Sequence, residues 1–382
     1  MHSLLFLVLI TLVACGGAAP APSANAPGVS VPVADMTTAR RGGHTATLLQ
    51  NDKVLVVGGS YTTTSGGLPV SQSHASGELY DPAGNAWAPV ASLAATRANH
   101  TATLLPNGKV LVVGGWYTTF TWWGTPVTNY LASAELYDPV SNVWTPVASL
   151  ATARCNQSAT LLANGKVLVV GGTNGAPIAN AELYDPAANT WTSAGNLATA
   201  RFGHTSVLLP NGKVFVAGGW NSNYLASAEL YDPATNTWGL AANLAIARGF
   251  HTATMLVNGK VLVAGGSGGS VLLSAELYNP AADTWAAAGS LANTRTYFTA
   301  TLLPNGKVLA IAGLDDTQVN GVYYYLPLVE LYDPLTNSWT MTASIAKKRA
   351  YHVATLLSNG KVLVLGGEGI SGVESSAELY SF

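Results

Sequence analysis

A single unit repeats along the chain from residue 29 to its end. It reads R-x-x-H-x-A-T-L-L-x-N-G-K-V-L-V-V-G-G, then a variable loop, then A-E-L-Y-D-P-x-x-N-x-W. By the R-x-x-H spacing, its Arg falls at Arg41, Arg97, Arg154, Arg201, Arg248, Arg295 and Arg349. Glycine pairs begin at Gly58, Gly114, Gly171, Gly218, Gly265 and Gly366, with Ala312-Gly313 in the sixth unit. A Tyr-Trp couple follows at Tyr80/Trp87, Tyr137/Trp144, Tyr184/Trp191, Tyr231/Trp238, Tyr278/Trp285 and Tyr332/Trp339. A unit this short cannot bury its own apolar face, so the copies must pack on one another.

The fourth unit shows what each copy forms. The segments 204–209 and 214–217 are apolar, rich in β-branched residues and of strand length. Between them Asn211-Gly212 is expected to supply the two left-handed positions of a tight hairpin. Glu229-Leu230-Tyr231-Asp232 alternates polar and apolar as a third strand. Pro233 then fixes φ for a turn into the strand of Trp238. Four short strands form a sheet with two apolar faces and open edges, and stacking in a ring hides both.

The last unit stops at Tyr380 without its Trp strand, while the segment 29–36 stands before the first Arg as 146–150 stands before Arg154. The expectation is an all-β, seven-bladed β-propeller of four-stranded antiparallel blades, with the N-terminal strand completing the last blade. A glycine pair followed by Tyr and Trp at constant spacing resembles the kelch motif, and kelch propellers commonly close in this way.

Charge follows the same period. Of the 17 Lys and Arg, fourteen are the repeated Arg and the hairpin Lys of each unit. Seven of the 19 acids are the strand Glu (Glu78, Glu135, Glu182, Glu229, Glu276, Glu330 and Glu378), and Asp81, Asp138, Asp185, Asp232 and Asp333 hold the turn. An Arg and a Glu in every unit suggest a repeated ion pair, and the alternative is an Arg ring at the channel mouth that attracts acidic ligands. With formal net charge −2 and 9% charged residues, no basic field exists for nucleic acid. His44, His100, His204, His251 and His352 share one repeat position, and hydrogen bonding at a strand end accounts for them more simply than a metal. Walker, His-Glu-x-x-His, Cys-x-x-Cys and Gly-x-Ser-x-Gly motifs are absent from the sequence, and no catalytic residue, metal or cofactor is assigned.

One segment tests a copper-oxidase reading. Arg349-Ala350-Tyr351-His352 resembles the Arg-x-Tyr-His segment of galactose oxidase, whose propeller is of kelch type and whose Tyr and His there bind copper. That family also cross-links a Cys to a second Tyr on the neighbouring blade. Here the matching positions are Asn156, one place past Cys155, and Gly203, so the resemblance implies an incomplete site.

Function should sit where the copies differ. The loop after the glycine pair is long in the first unit (60–77), the second (116–133) and the sixth (314–329). These loops are expected to face one end of the channel and to carry ligand-binding residues: Trp116, Tyr117, Trp122, Trp123, Trp220, Tyr224, Tyr323 and Tyr324, with Arg349 and Tyr351 beside them. Aromatic rings among Thr, Asn and Gly suit a sugar or a peptide. They also suit self-packing into a cap.

The start of the chain bears on location. The run 4–13 is apolar but too short to span a bilayer, and Leu12-Val13-Ala14-Cys15 resembles the lipobox of bacterial lipoproteins, which implies lipidation at Cys15. Residues 1–15 are read as the signal peptide, 16–28 as an Ala/Pro-rich tether and 29–382 as the propeller. With Cys15 lipidated, Cys155 has no partner for a disulfide. The expectation is a monomeric module in the bacterial envelope, membrane-held through its lipid alone, that binds a protein or glycan. The alternative is a sugar-active enzyme of oxidase or isomerase type, using an unpaired carboxylate such as Glu368 beside Arg349.

Overall fold

In a computed structural model describing residues 28–65, 67–319 and 322–382, the repeat forms seven four-stranded antiparallel sheets. Blade 4 runs from the channel outward as Thr205–Leu208, Val214–Ala217, Ala228–Asp232 and Thr237–Ala241. Its Asn-Gly hairpin departs from expectation. Gly212 alone is left-handed (φ 80°), Gly212 N donates to Leu209 O, and Leu209 N donates to Lys213 O. The turn spans three residues with the glycine at its bulge, and Asn211 instead accepts from Lys213 N at 3.1 Å through its side chain.

The second strand of each blade is buried up to its glycine pair, because a blade covers each of its faces. Seven apolar clusters each straddle one seam between successive blades. One of them joins Leu168 and Val170 of blade 3 to Val214, Val216 and Tyr231 of blade 4. Another joins Leu363 and Leu365 of blade 7 to Val54, Val56 and Tyr80 of blade 1, which closes the ring. Strand Val29–Val33 pairs with Ala377–Ser381 in the register Val31↔Leu379, so the N-terminal segment completes blade 7 as expected.

The Tyr-Trp couple ties neighbouring blades together. Tyr231 packs on Trp238 at 5.2 Å, its hydroxyl donates to Asn236, and Trp238 Nε1 reaches Ala194 O of blade 3 at 2.7 Å.

The Arg-Glu ion pair is present in every blade, with all seven guanidinium groups sealed from solvent. In blade 4, Arg201 Nη2 meets Glu229 Oε1 at 2.7 Å while Nη1 donates to Gly218 O and Ser227 O. The other Glu229 oxygen accepts Ala198 N, so one carboxylate fixes both the Arg and the segment leading into the blade.

Blade 1 corrects the sequence register. The buried Arg is Arg40, paired with Glu78, and not Arg41. The repeat Arg stands four residues after a buried apolar anchor: Met36 before Arg40, Leu93 before Arg97, Leu197 before Arg201. That upstream anchor sets the position, and blade 1 holds one extra residue before His44. Arg41, pushed outward, bonds Glu368 of blade 7 at 2.9 Å.

The signal segment, the tether up to residue 27 and Cys15 lie outside the described residues. Among those described, no helix is long and apolar enough to cross a membrane.

Candidate ligand-binding mouth

The glycine pairs end the second strands, and the variable loops that follow them become hairpins. In blade 1 the strand Val54–Ser65 continues past the glycines and turns back as Leu68–Ser73. Blade 2 raises Trp116–Phe120 against Pro126–Tyr130, blade 6 raises Leu314–Val319 against Val322–Tyr325, and blade 4 has a two-residue pair on each side. The first two hairpins dock on each other, where Thr118 Oγ1 donates to Ser71 O at 2.8 Å.

Strand alternation sorts the blade 2 residues. Trp116 stands opposite Tyr130 and Thr118 opposite Thr128, while Tyr117 opposes Asn129 on the other face. Trp122 and Trp123 cap the tip, 94% and 88% exposed. The base of this loop therefore packs while its tip projects into solvent.

Beside it lies a cleft of about 1020 Å³ lined by Ser65, Leu68, Pro69, Val70 and Ser71 of blade 1, by Trp116, Thr118, Trp123, Thr128 and Tyr130 of blade 2, and by Cys155, Asn156 and Thr173 of blade 3. None of its lining residues is an Asp, Glu, Lys, Arg or His. Burial pushes the Cys155 thiol up to about 12 and raises Tyr130, next to it, as well, so both stay neutral.

A ring of left-handed residues surrounds the channel mouth, one just before each repeat His position: Gly43, Asn99, Asn156, Gly203, Phe250, Tyr297 and Tyr351, with φ between 51° and 66°. Gly and Asn suit that geometry, but Phe and Tyr do not, and such strain costs roughly 1–3 kcal/mol per residue. The strained side chains form an aromatic arc across blades 4 to 7. Trp220 packs on Phe202 at 5.3 Å, Phe250 on Tyr297 at 5.1 Å, and Tyr297 on Tyr351 at 4.3 Å. Phe202, Phe250 and Tyr297 were not among the residues singled out from sequence. For Phe250 and Tyr297 the signal was present in the column before the histidines, where Gly or Asn fills the first four units and an aromatic the last three; Phe202 stands one column earlier.

Trp220 faces Tyr224 in the blade 4 hairpin. Tyr324 accepts a hydrogen bond from Lys348 Nζ, which also lies 4.4 Å from its ring centre. The Tyr323 side chain lies outside the described residues. Two expectations need correction. Arg349 is 0% exposed and bonded to Glu378 and to Gly366 O, so its guanidinium faces the blade and not a ligand. Glu368 is held by Arg41 and by Tyr325, whose hydroxyl pKa is raised by burial and then by the carboxylate, so Glu368 is no unpaired acid.

The copper set does not fit either. His352 is buried and shares a hydrogen bond with Thr299 Oγ1 at 3.0 Å, which ties its ring to blade 6. Among the described residues no three His, Cys, Asp or Glu side chains are grouped to hold a metal ion.

Comparison with known proteins bears on the scaffold. A family model of the kelch motif matches residues 97–151, 154–198 and 201–244. The F-box/kelch-repeat protein SKIP30 of Arabidopsis thaliana is 33% identical over 91 residues, which are 24% of this chain and 23% of that protein. Among solved structures, a fungal alcohol oxidase of the AA5 family in complex with copper superposes with a TM-score of 0.73 at 20% identity, over 93% of this chain and 76% of its own. The structure of YjhT superposes with a TM-score of 0.59 at 16% identity, over 81% of this chain and 99% of its own. At such identities the two structures speak to fold alone. The chain thus carries kelch motifs over residues 97–244 and folds as a seven-bladed β-propeller of kelch-repeat type.

Proposed function

We propose that this protein is a ligand-binding module held at the bacterial cell envelope by a lipid on Cys15, and that it engages a protein or glycan at the hairpin-bearing mouth. The observation that carries this reading is the exposure of Trp122 and Trp123 at the tip of the blade 2 hairpin. Apolar rings of that size normally seek cover, and nothing in the scaffold needs them in solvent. The repeated charges support the same reading from the other side, since every blade spends its Arg on its own Glu.

The test has two arms. Purified Cys15→Ser protein, which carries no lipid, is compared with and without residues 117–129 for retention on isolated cell envelopes. Retention by the form that keeps them and its loss in the shortened one support the reading, and equal retention overturns it. Separately, Cys15→Ser in the chain without residues 117–129 is expected to release the protein from membranes into the soluble fraction. A shortened Cys15→Ser protein that stays as membrane-bound as its Cys15 counterpart would overturn the lipid anchor.

A further inference from the structure

We infer that the cleft between the blade 1 and blade 2 hairpins binds an uncharged oligosaccharide, an assignment that rests on the binding-module reading and gives it a ligand class. Three features of the cleft converge on this chemistry.

The first is charge. The walls carry no Asp, Glu, Lys, Arg or His, and the two titratable groups present, Cys155 and Tyr130, are kept neutral, with burial raising both further. An anionic glycan or a charged peptide entering here would lose water without meeting a counter-charge. A neutral sugar loses only hydroxyl hydration, which hydroxyl and amide partners replace.

The second is the arrangement of those partners. One face of the blade 2 hairpin presents an aromatic pair at its base, Trp116 opposite Tyr130, and a hydroxyl pair above it, Thr118 opposite Thr128. Asn156 adds an amide from blade 3 on the same cleft. A pyranose has this double character, with apolar C–H faces and an equatorial belt of hydroxyls. Aromatic surface with adjacent Thr and Asn groups meets both at low entropic cost.

The third is access. Trp123 lines the cleft and is 88% exposed, so its indole can lie along a chain that extends past the cleft into solvent. The cleft also meets the ring around the channel at Asn156, beyond which the aromatic arc of Phe250, Tyr297 and Tyr351 begins. A linear ligand longer than the cleft finds surface in both directions.

The test is affinity electrophoresis of the intact propeller in gels containing dextran, starch, galactomannan, xyloglucan or β-1,3-glucan, with pectate and hyaluronan as anionic probes and casein as a polypeptide probe. Retardation by at least one uncharged polysaccharide is expected, insensitive to added salt. Trp123→Ala should weaken it about tenfold through lost stacking. Thr128→Trp, which fills the cleft, should abolish it. Neither exposed site contributes to the blade cores, and an unchanged thermal midpoint in both variants verifies folding. Retardation by pectate, hyaluronan or casein alone, by none of the uncharged polymers, or equally in both variants overturns the inference. If envelope retention still depends on residues 117–129 in that event, the binding-module reading stands and only the ligand class falls.

Discussion

Arg97 Nη2 meets Glu135 Oε1 at 2.6 Å, with the two side chains 0% and 3% exposed. The same guanidinium donates to Gly114 O and Ser133 O, and the second Glu135 oxygen accepts Ala94 N at 2.8 Å. One ion pair thus holds the entry segment, the glycine pair and the third strand of its blade. Glu135→Ala leaves a buried cation unpaired and is expected to cost about 3–5 kcal/mol in urea unfolding. Lys109→Ala, which removes a solvent-exposed pair with Asp138, should leave the midpoint almost unchanged. Equal effects from the two would contradict the account.

The buried histidines make stability depend on acidity. Burial, then the charge of Arg40, lowers His44 to about 3, and burial with Arg248 lowers His251 likewise, from an ordinary value near 6.5. Between those limits the unfolded chain binds protons that the folded chain refuses. Stability is therefore complete above about pH 6.5 and falls as pH drops towards 3, by about 1.4 kcal/mol per pH unit for each such His. His251→Gln copies blade 3, where Gln157 fills this position and donates to Val113 O. Urea unfolding from pH 7 to pH 4 should show a shallower loss in that variant, and an unchanged slope would count against the assignment.

Phe250 sets aromatic packing against backbone strain. Its φ is 55°, a region that Asn adopts at the equivalent Asn99 and Asn156. Phe250→Asn relieves the strain while it gives up contacts with Phe202 and Tyr297. The expected cost is under about 1 kcal/mol, against about 3–5 kcal/mol for removing a phenyl ring from a core. Thermal unfolding checks this, and a core-sized loss would mean the arc serves the fold.

Much of this was legible in the residues. The period, the strand lengths and the missing Trp strand of the last unit required seven blades and an N-terminal strand to close them, because each copy has faces it cannot cover alone. The Arg-Glu pairs followed from their joint recurrence. The identity of the first buried Arg did not. Arg40 and Arg41 are adjacent, and spacing from His44 favours the wrong one, because burial is set by the Met36 anchor upstream.

The mouth was legible only in outline. Loop length and aromatic content marked the blade 2 hairpin, but its division into a packed base and an open tip depends on which strand face meets blade 1. Glu368 and the aromatic arc were beyond reach for a related reason, whereas the burial of Arg349 follows from the repeated pair with Glu378. Periodic patterning dictates what each blade does with its own side chains, since those contacts are local and repeated. The partners of Arg41, Glu368, Phe250 and Tyr351 come from other blades, and closure of the ring alone brings them together.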